Sequence, residues 1–154
     1  VHYEAEIAVL IGKPLCAQPG ESELLDAISG FAPALDLTLR DVQDGLKKKG
    51  YPWEVAKAFD GACVLAPFVN AGTFADPTDI NIRLSLNGEL RQDGNSRDML
   101  NPILPLIRHI AGQFRLLPGD VILTGTPAGV GALARGDRLL LELGSKVQVE
   151  TEVL

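Results

Sequence analysis

The sequence predicts an α+β fold, rich in β-structure, with short helices at the edges of a rolled mixed sheet. Three observations predict it: an apolar, partly β-branched run from Tyr3 to Ile11, a hairpin pattern around Asn87-Gly88, and three closing strands set off by glycine-bearing turns. The 154 residues carry 46% apolar side chains and show no internal repeat, linker or low-complexity tract, which suits one domain with a substantial core.

Tyr3 to Ile11 reads as a buried strand, since Ile7, Ala8, Val9, Leu10 and Ile11 are all apolar. Side chains alternate across a strand, so Glu4 and Glu6 share a face. Two carboxylates held that close raise each other's pKa unless a positive charge lies between them. A divalent cation is one answer, and a solvated strand end is the other. His2 has the same parity, either standing beside that site or simply packing.

Ser22 to Ile28 reads as a short capped helix closed by Gly30. The apolar run Phe31 to Leu37 carries Asp36 near its end, directly before a well-signalled helix. There Thr38 is the expected cap, Asp41 completes a shortened capping box, and Lys47, Lys48 and Lys49 fill the last turn before Gly50. An aspartate at such a junction serves either turn chemistry or a ligand. Arg40 and Gln43, three residues apart, share a helix face that begins just after Asp36 and suits a bound anion; an ion pair of Arg40 with Asp41 or Asp44 competes with that reading. Lys57 sits among Trp53, Val55, Ala56 and Phe59, so it either snorkels past the aromatic rings or faces a polar site.

Ile80 to Leu86 alternates polar and apolar residues and meets Glu89 to Gln92 across Asn87-Gly88. Asn101-Pro102 opens an amphipathic helix through about Gln113, with Ile103, Leu106, Ile107 and Ile110 on one face and His109 read as structural. Pro118-Gly119-Asp120, Gly136-Asp137 and Gly144-Ser145 then punctuate the closing strands. The first of these runs into the loop Thr124-Gly125-Thr126-Pro127-Ala128-Gly129-Val130-Gly131. Its glycines allow a close backbone approach to a ligand. No Gly-Lys-Ser/Thr follows, which excludes a phosphate-binding P-loop, and Gly136-Asp137 stops the chain before the helix that a dinucleotide fingerprint requires. A small oxyanion remains as the ligand for this loop.

The segments HYEAEIAVLIGK, ALDLTLRDVQ, WEVAKAFD, LNGELRQDG and GDVILTGTPAGVG, in this order, resemble the fumarylacetoacetate hydrolase family over the whole length, Val1 to Leu154. The stretch DLTLRDVQDGLKKKGYPWEVAKAFDG looks most like its acylpyruvase and oxaloacetate decarboxylase branch. The resemblance implies a mixed-sheet β-roll of the family's C-terminal-domain type and one catalytic domain over residues 1–154. It implies that Glu4, Glu6 and Asp36 bind Mg²⁺ or Mn²⁺, with Ca²⁺ also possible, and that Arg40, Gln43, Lys57 and Thr126 contact a small anionic 2-oxo acid, Lys57 catalytically. The implied reaction is hydrolytic or decarboxylative cleavage of a C–C bond in an acylpyruvate or oxaloacetate through a stabilised enolate. Isomerisation of an unsaturated 2-oxo diacid and a non-catalytic oxoacid-binding module are the alternatives. Relatives carry a lid with a His and a Glu ahead of the E-x-E strand. This chain begins inside that strand without Met, so it reads as part of a longer protein and its hydrolytic base is unassigned. The resemblance also implies a homodimer.

A net charge of −6 argues against nucleic acid or an anionic membrane as partner. Cys16 and Cys63 show no metal spacing, Cys63 reads as a buried free thiol, and a reducing cytoplasm is the simplest compartment. No apolar run approaches the ~20 residues of a membrane span.

Overall fold

The computed structural model describes residues 1–154. In chain order the elements are β1 (His2–Tyr3), β2 (Ala5–Ile11), α1 (Glu21–Ala27), β3 (Ile28–Asp36), α2 (Arg40–Lys49), α3 (Glu54–Lys57), β4 (Cys63–Leu65), β5 (Val69–Asn70), β6 (Asn81–Leu86), β7 (Glu89–Asn95), α4 (Ile103–Gln113), β8 (Val121–Leu123), β9 (Gly131–Ala132), β10 (Arg138–Leu143) and β11 (Val147–Glu152). The β-rich α+β roll expected from the sequence is present, built from a β4-β3-β2-β8 sheet with β5 also on β3, a β11-β10-β6-β7 sheet, and the β1-β9 pair. Strand direction differs from expectation, because every ladder is antiparallel rather than mixed. None of the helices serves as a right-handed crossover between neighbouring parallel strands, the connection a parallel pair requires.

Alternation along β2 sorts its side chains. Ile7, Val9 and Ile11 enter the main core with Leu84, Leu141 and Ile107, while Ala8 packs with Ala32 and Ala34 of β3 on the opposite face. Glu6 pairs with Ala34 in register and has the parity of Ala8, so small alanines leave room beside the carboxylate. The expected strand from Tyr3 to Ile11 is interrupted at Glu4 because the chain changes partners there: β1 pairs with β9, whereas β2 lies between β3 and β8.

The Asn87-Gly88 hairpin forms, both residues having positive φ (53° and 83°) as a type I′ turn demands. Its second strand runs on to Asn95, past Gln92, with a register shift between Leu84 and Ser85 that leaves Arg91 without a partner in the ladder. Gly50 caps α2 in the left-handed region, as expected. Thr38 does not cap α2: Leu39 occupies the N-cap, no side chain caps it, and Asp41 completes no capping box. Thr38 instead forms a two-way backbone bridge with His2, and its hydroxyl donates to the Asp36 carbonyl, so tertiary pairing overrides the local cap. Gly30 does not close α1, because β3 follows that helix immediately; a Cβ on Gly30 would lie 2.5 Å from the Val69 carbonyl oxygen of β5. Cys63 is exposed rather than buried, since β4 is the edge strand and all three of its residues are open to solvent.

The glycine-rich loop after β8 is seated directly on β7. Gly129 has φ +104°, and a Cβ there would stand 2.0 Å from the Arg91 carbonyl oxygen, a backbone atom that cannot step aside. Gly129→Ala is expected to destabilise the protein by roughly 2–4 kcal/mol, combining overpacking with left-handed strain, and a urea unfolding midpoint like that of the wild type would contradict this seating.

Candidate functional site

The end of β3, the junction of β1 and β2, the start of α2 and the end of α3 converge on one polar cluster. Carboxylate oxygens of Glu4, Glu6 and Asp36 all lie within 4.8 Å of one another. Glu4 and Glu6 are buried, which removes the solvated strand end as their explanation. The Asp36 backbone N–H donates to the Glu4 carbonyl at 2.9 Å, locking the two carboxylate-bearing segments together.

Two cations face this cluster. Lys57 Nζ donates to Glu4 Oε2 and to Asp36 Oδ2, each at 2.6 Å, so Lys57 faces the polar site. The cation against Trp53 is Lys47, 4.8 Å from the ring centroid. Arg40 donates to Glu4 Oε1 and, at 2.7 Å, to Gln43 Oε1, and pairs with neither Asp41 nor Asp44. Gln43 is buried, and Arg40 Nε is a buried donor without a partner.

This arrangement separates the carboxylates electrostatically. Burial opposes ionisation of Glu4, but the hydrogen bonds and charges of Lys57 and Arg40 outweigh it and hold the carboxyl below its ordinary value. Glu6 has no cation bonded to it, only the Gly125 backbone N–H at 2.7 Å. Burial pushes its pKa up to about 7, reinforced by the charges of Asp36 and Glu4, against the Gly125 bond and the more distant Lys57. Burial also disfavours the Lys57 ammonium, yet its bonds to Asp36 and Glu4 prevail and raise its pKa, so it is a charged donor and not a base. Three carboxylates against two cations leave a deficit of positive charge, and that deficit falls on Glu6.

Thr126 reaches the same region from the loop after β8, but its hydroxyl is engaged in the scaffold: it donates to the Ala5 carbonyl and accepts from Gln92 Nε2, both at 2.8 Å. Thr124, Gly125 and Thr126 also line a cleft of about 590 Å³ bordered by β7, and none of the three carboxylates lines it. His2 makes no side-chain bond to Glu4 or Glu6, its Nδ1 being buried without a partner, and His109 lies exposed on α4. Gln92 and the Gly125 amide were not singled out by sequence. A glutamine opposite Leu84, at a position of β7 that faces the interior, was the available signal for the first.

Residues 1–154 match the fumarylacetoacetate (FAA) hydrolase C-terminal family. The chain belongs to the fumarylacetoacetate hydrolase family. Among members of that family it is 53% identical over 140 residues to the oxaloacetate tautomerase YcgM of Escherichia coli, covering 90% of this chain and 64% of that protein. The fumarylpyruvate hydrolase of Pseudomonas aeruginosa, solved in complex with Mn²⁺ and pyruvate, superimposes with a TM-score of 0.93 at 33% identity, covering 99% of this chain and 65% of that one. The 5-carboxymethyl-2-hydroxymuconate delta-isomerase of Mycobacterium smegmatis superimposes with a TM-score of 0.86 at 34% identity, covering 99% of this chain and 58% of the other. The chain thus spans somewhat under two thirds of the length of these relatives. No helix is long and apolar enough to cross a membrane.

Proposed function

We propose that the protein holds a Mg²⁺ or Mn²⁺ ion through Glu4, Glu6 and Asp36 and acts on a small anionic 2-oxo acid, catalysing enol–keto tautomerisation of oxaloacetate. The metal site rests on the set of three clustered carboxylates flanked by Arg40 and Lys57, with Glu6 left short of a positive partner, and the choice of reaction on the 53% identity to the oxaloacetate tautomerase YcgM. Hard oxygen donors suit Mg²⁺ and Mn²⁺, and Ca²⁺ as well. When bound, the ion supplies a Lewis acid for the C2 carbonyl. Lys57, kept protonated by its neighbours, donates to the oxygen that gains charge when the C3 proton leaves. Arg40 and Gln43 hold a substrate carboxylate, and Thr126 fixes the loop whose Gly125 N–H bonds Glu6. The reaction moves one proton between C3 and the C2 oxygen and needs no activated water.

A second reading, hydrolytic cleavage of an acylpyruvate or decarboxylation of oxaloacetate, draws on the likeness to the fumarylpyruvate hydrolase. Both act on the keto form and leave a pyruvate enolate as the C3–C4 bond breaks, so negative charge develops on the same C2 oxygen as in the tautomerisation. The deciding experiment follows loss of the enol absorbance of oxaloacetate, together with pyruvate release from oxaloacetate and acetylpyruvate, with Mn²⁺ and after chelation. Metal-dependent enol loss without pyruvate supports the tautomerase. Metal-dependent pyruvate release establishes the second reading, and Mn²⁺ binding with neither reaction leaves an oxoacid-binding module. Two unpaired cysteines suit a reducing cytoplasm.

Metal affinity should depend on pH through Glu6. Its proton, held up to about pH 7 in the metal-free protein, must leave before the carboxylate can bind an ion. Mn²⁺ affinity is therefore expected to rise nearly tenfold per pH unit below about 7 and to level off above it. Calorimetry in buffers of different ionisation enthalpy should detect nearly one proton released per ion at the acid end and almost none at the alkaline end.

A further inference from the structure

Strand β8 covers the outer edge of β2 only opposite Ala8, Val9 and Leu10. Beyond Leu123 the chain leaves the ladder, and the backbone of β2 towards Glu4 has no strand on that side. Side chains take over its hydrogen bonds. The Thr124 hydroxyl donates to the Ile7 carbonyl at 2.9 Å, and the Thr126 hydroxyl donates to the Ala5 carbonyl at 2.8 Å. The Ala5 N–H donates to Gln92 Oε1 at 2.9 Å, and Gln92 Nε2 donates to Thr126 Oγ1 and to the Pro127 carbonyl, both at 2.8 Å. A closed ring results: Ala5 N–H to Gln92, Gln92 to Thr126, and Thr126 back to the Ala5 carbonyl.

We propose that Gln92 is a positioning residue for the Glu4–Glu6 pair, its amide standing in for the missing strand at Ala5 and tying that residue to the 124–127 loop. Ala5 lies between the two glutamates, so fixing both its backbone groups fixes the direction in which each carboxylate leaves the chain. The same amide sets the loop whose Gly125 N–H holds Glu6. Gln92 is suited to the task because it is 1% exposed, uses its acceptor and both donor hydrogens, and projects from a hairpin strand against which the loop is already packed through Gly129 on Arg91 and Gly94 on Pro127. No other side chain bonds the Ala5 N–H.

The inference rests on Glu4 and Glu6 binding a metal ion, and its test separates the two ideas. Mn²⁺ affinity and metal-free melting temperature are measured for the wild type, Gln92→Leu, Gln92→Asn and the core variant Leu24→Ala. Gln92→Leu removes all three bonds at similar volume, and Gln92→Asn keeps an amide too short to span both Ala5 and Thr126. Both are expected to weaken Mn²⁺ binding, the first by roughly tenfold or more as outer-shell partners of metal ligands do. Leu24→Ala lowers the melting temperature through a cavity in α1 and should leave the Mn²⁺ affinity unchanged. If the Gln92 variants melt lower but bind Mn²⁺ like the wild type, or if Leu24→Ala weakens binding equally, the positioning role is overturned. Should Gln92→Leu not fold, Gln92→Asn decides by the same comparison. A wild-type protein that binds no Mn²⁺ overturns the metal reading itself, and this inference with it.

Discussion

Glu6→Gln is expected to abolish useful divalent-metal binding while making the metal-free protein more stable at alkaline pH. The substitution keeps the size of the side chain and an oxygen to accept the Gly125 N–H, and removes only the charge. Loss of an anionic ligand should weaken Mn²⁺ binding by more than the roughly 10–100-fold that follows loss of an outer-shell partner, and turnover should fall with it. The stability effect has the opposite sign. With a folded-state pKa of about 7 against an ordinary value of 4.5, Glu6 holds a proton in the folded chain that the unfolded chain has already released. Its favourable contribution is complete below about 4.5 and is lost as pH rises through 7. Relative to wild type, metal-free Glu6→Gln should thus gain about 3 kcal/mol at pH 8, and under about 1 kcal/mol at pH 5. Chemical denaturation of chelator-treated protein at the two pH values is the measurement. An equal difference at both, or undiminished Mn²⁺ binding, would remove Glu6 from its assigned role.

Lys57→Met should divide metal binding from chemistry. The ammonium bonds both Glu4 and Asp36, and its side chain is 25% exposed against 10% and 21% for theirs. Removing it leaves two partly buried carboxylates facing each other, which should cost the metal-free protein about 2–3 kcal/mol, somewhat less than the 3–5 of a fully buried pair. A divalent ion neutralises the same carboxylates, so saturating Mn²⁺ should recover most of that loss, and Mn²⁺ affinity should hold or increase. Turnover should nevertheless drop on the order of 10²–10³-fold, the usual effect of deleting one preorganised donor to a developing oxyanion. Thermal melts with and without Mn²⁺, beside rates at saturating metal, test both halves. Turnover within tenfold of wild type would assign Lys57 to stability alone.

Much of this site is legible in the sequence. The two-residue period of a strand sets Glu4 and Glu6 on one face, an apolar run ending at Asp36 before a polar helix sets the third carboxylate at a strand terminus, and the three-residue spacing of Arg40 and Gln43 sets them on one helix face. Each of these is a local periodicity, and the structure brings all five residues together. The Asn87-Gly88 hairpin and the Gly50 cap were legible for the same reason, since positive φ is a property of single residues. The errors lie where distant segments compete for a residue's bonding groups. Thr38 has the chemistry of a cap but is held by His2, Gly30 has the chemistry of a helix stop but is packed under Val69, and Cys63 is apolar in context but falls on an edge strand.

The sequence by itself determined the β-rich class, the shared face of Glu4 and Glu6 and the shared face of Arg40 and Gln43, because helix and strand periods act over a few residues; the grouping of Asp36 and Arg40 with the glutamates was implied by the family resemblance. Only the tertiary structure decided that Lys57 turns to Glu4 and Asp36, that Glu6 alone lacks a cation, and that Gln92 closes the ring at Ala5. Those outcomes depend on which segments become neighbours across 21 to 119 positions of chain, and on burial, which turns an ordinary glutamate into one that titrates near neutrality.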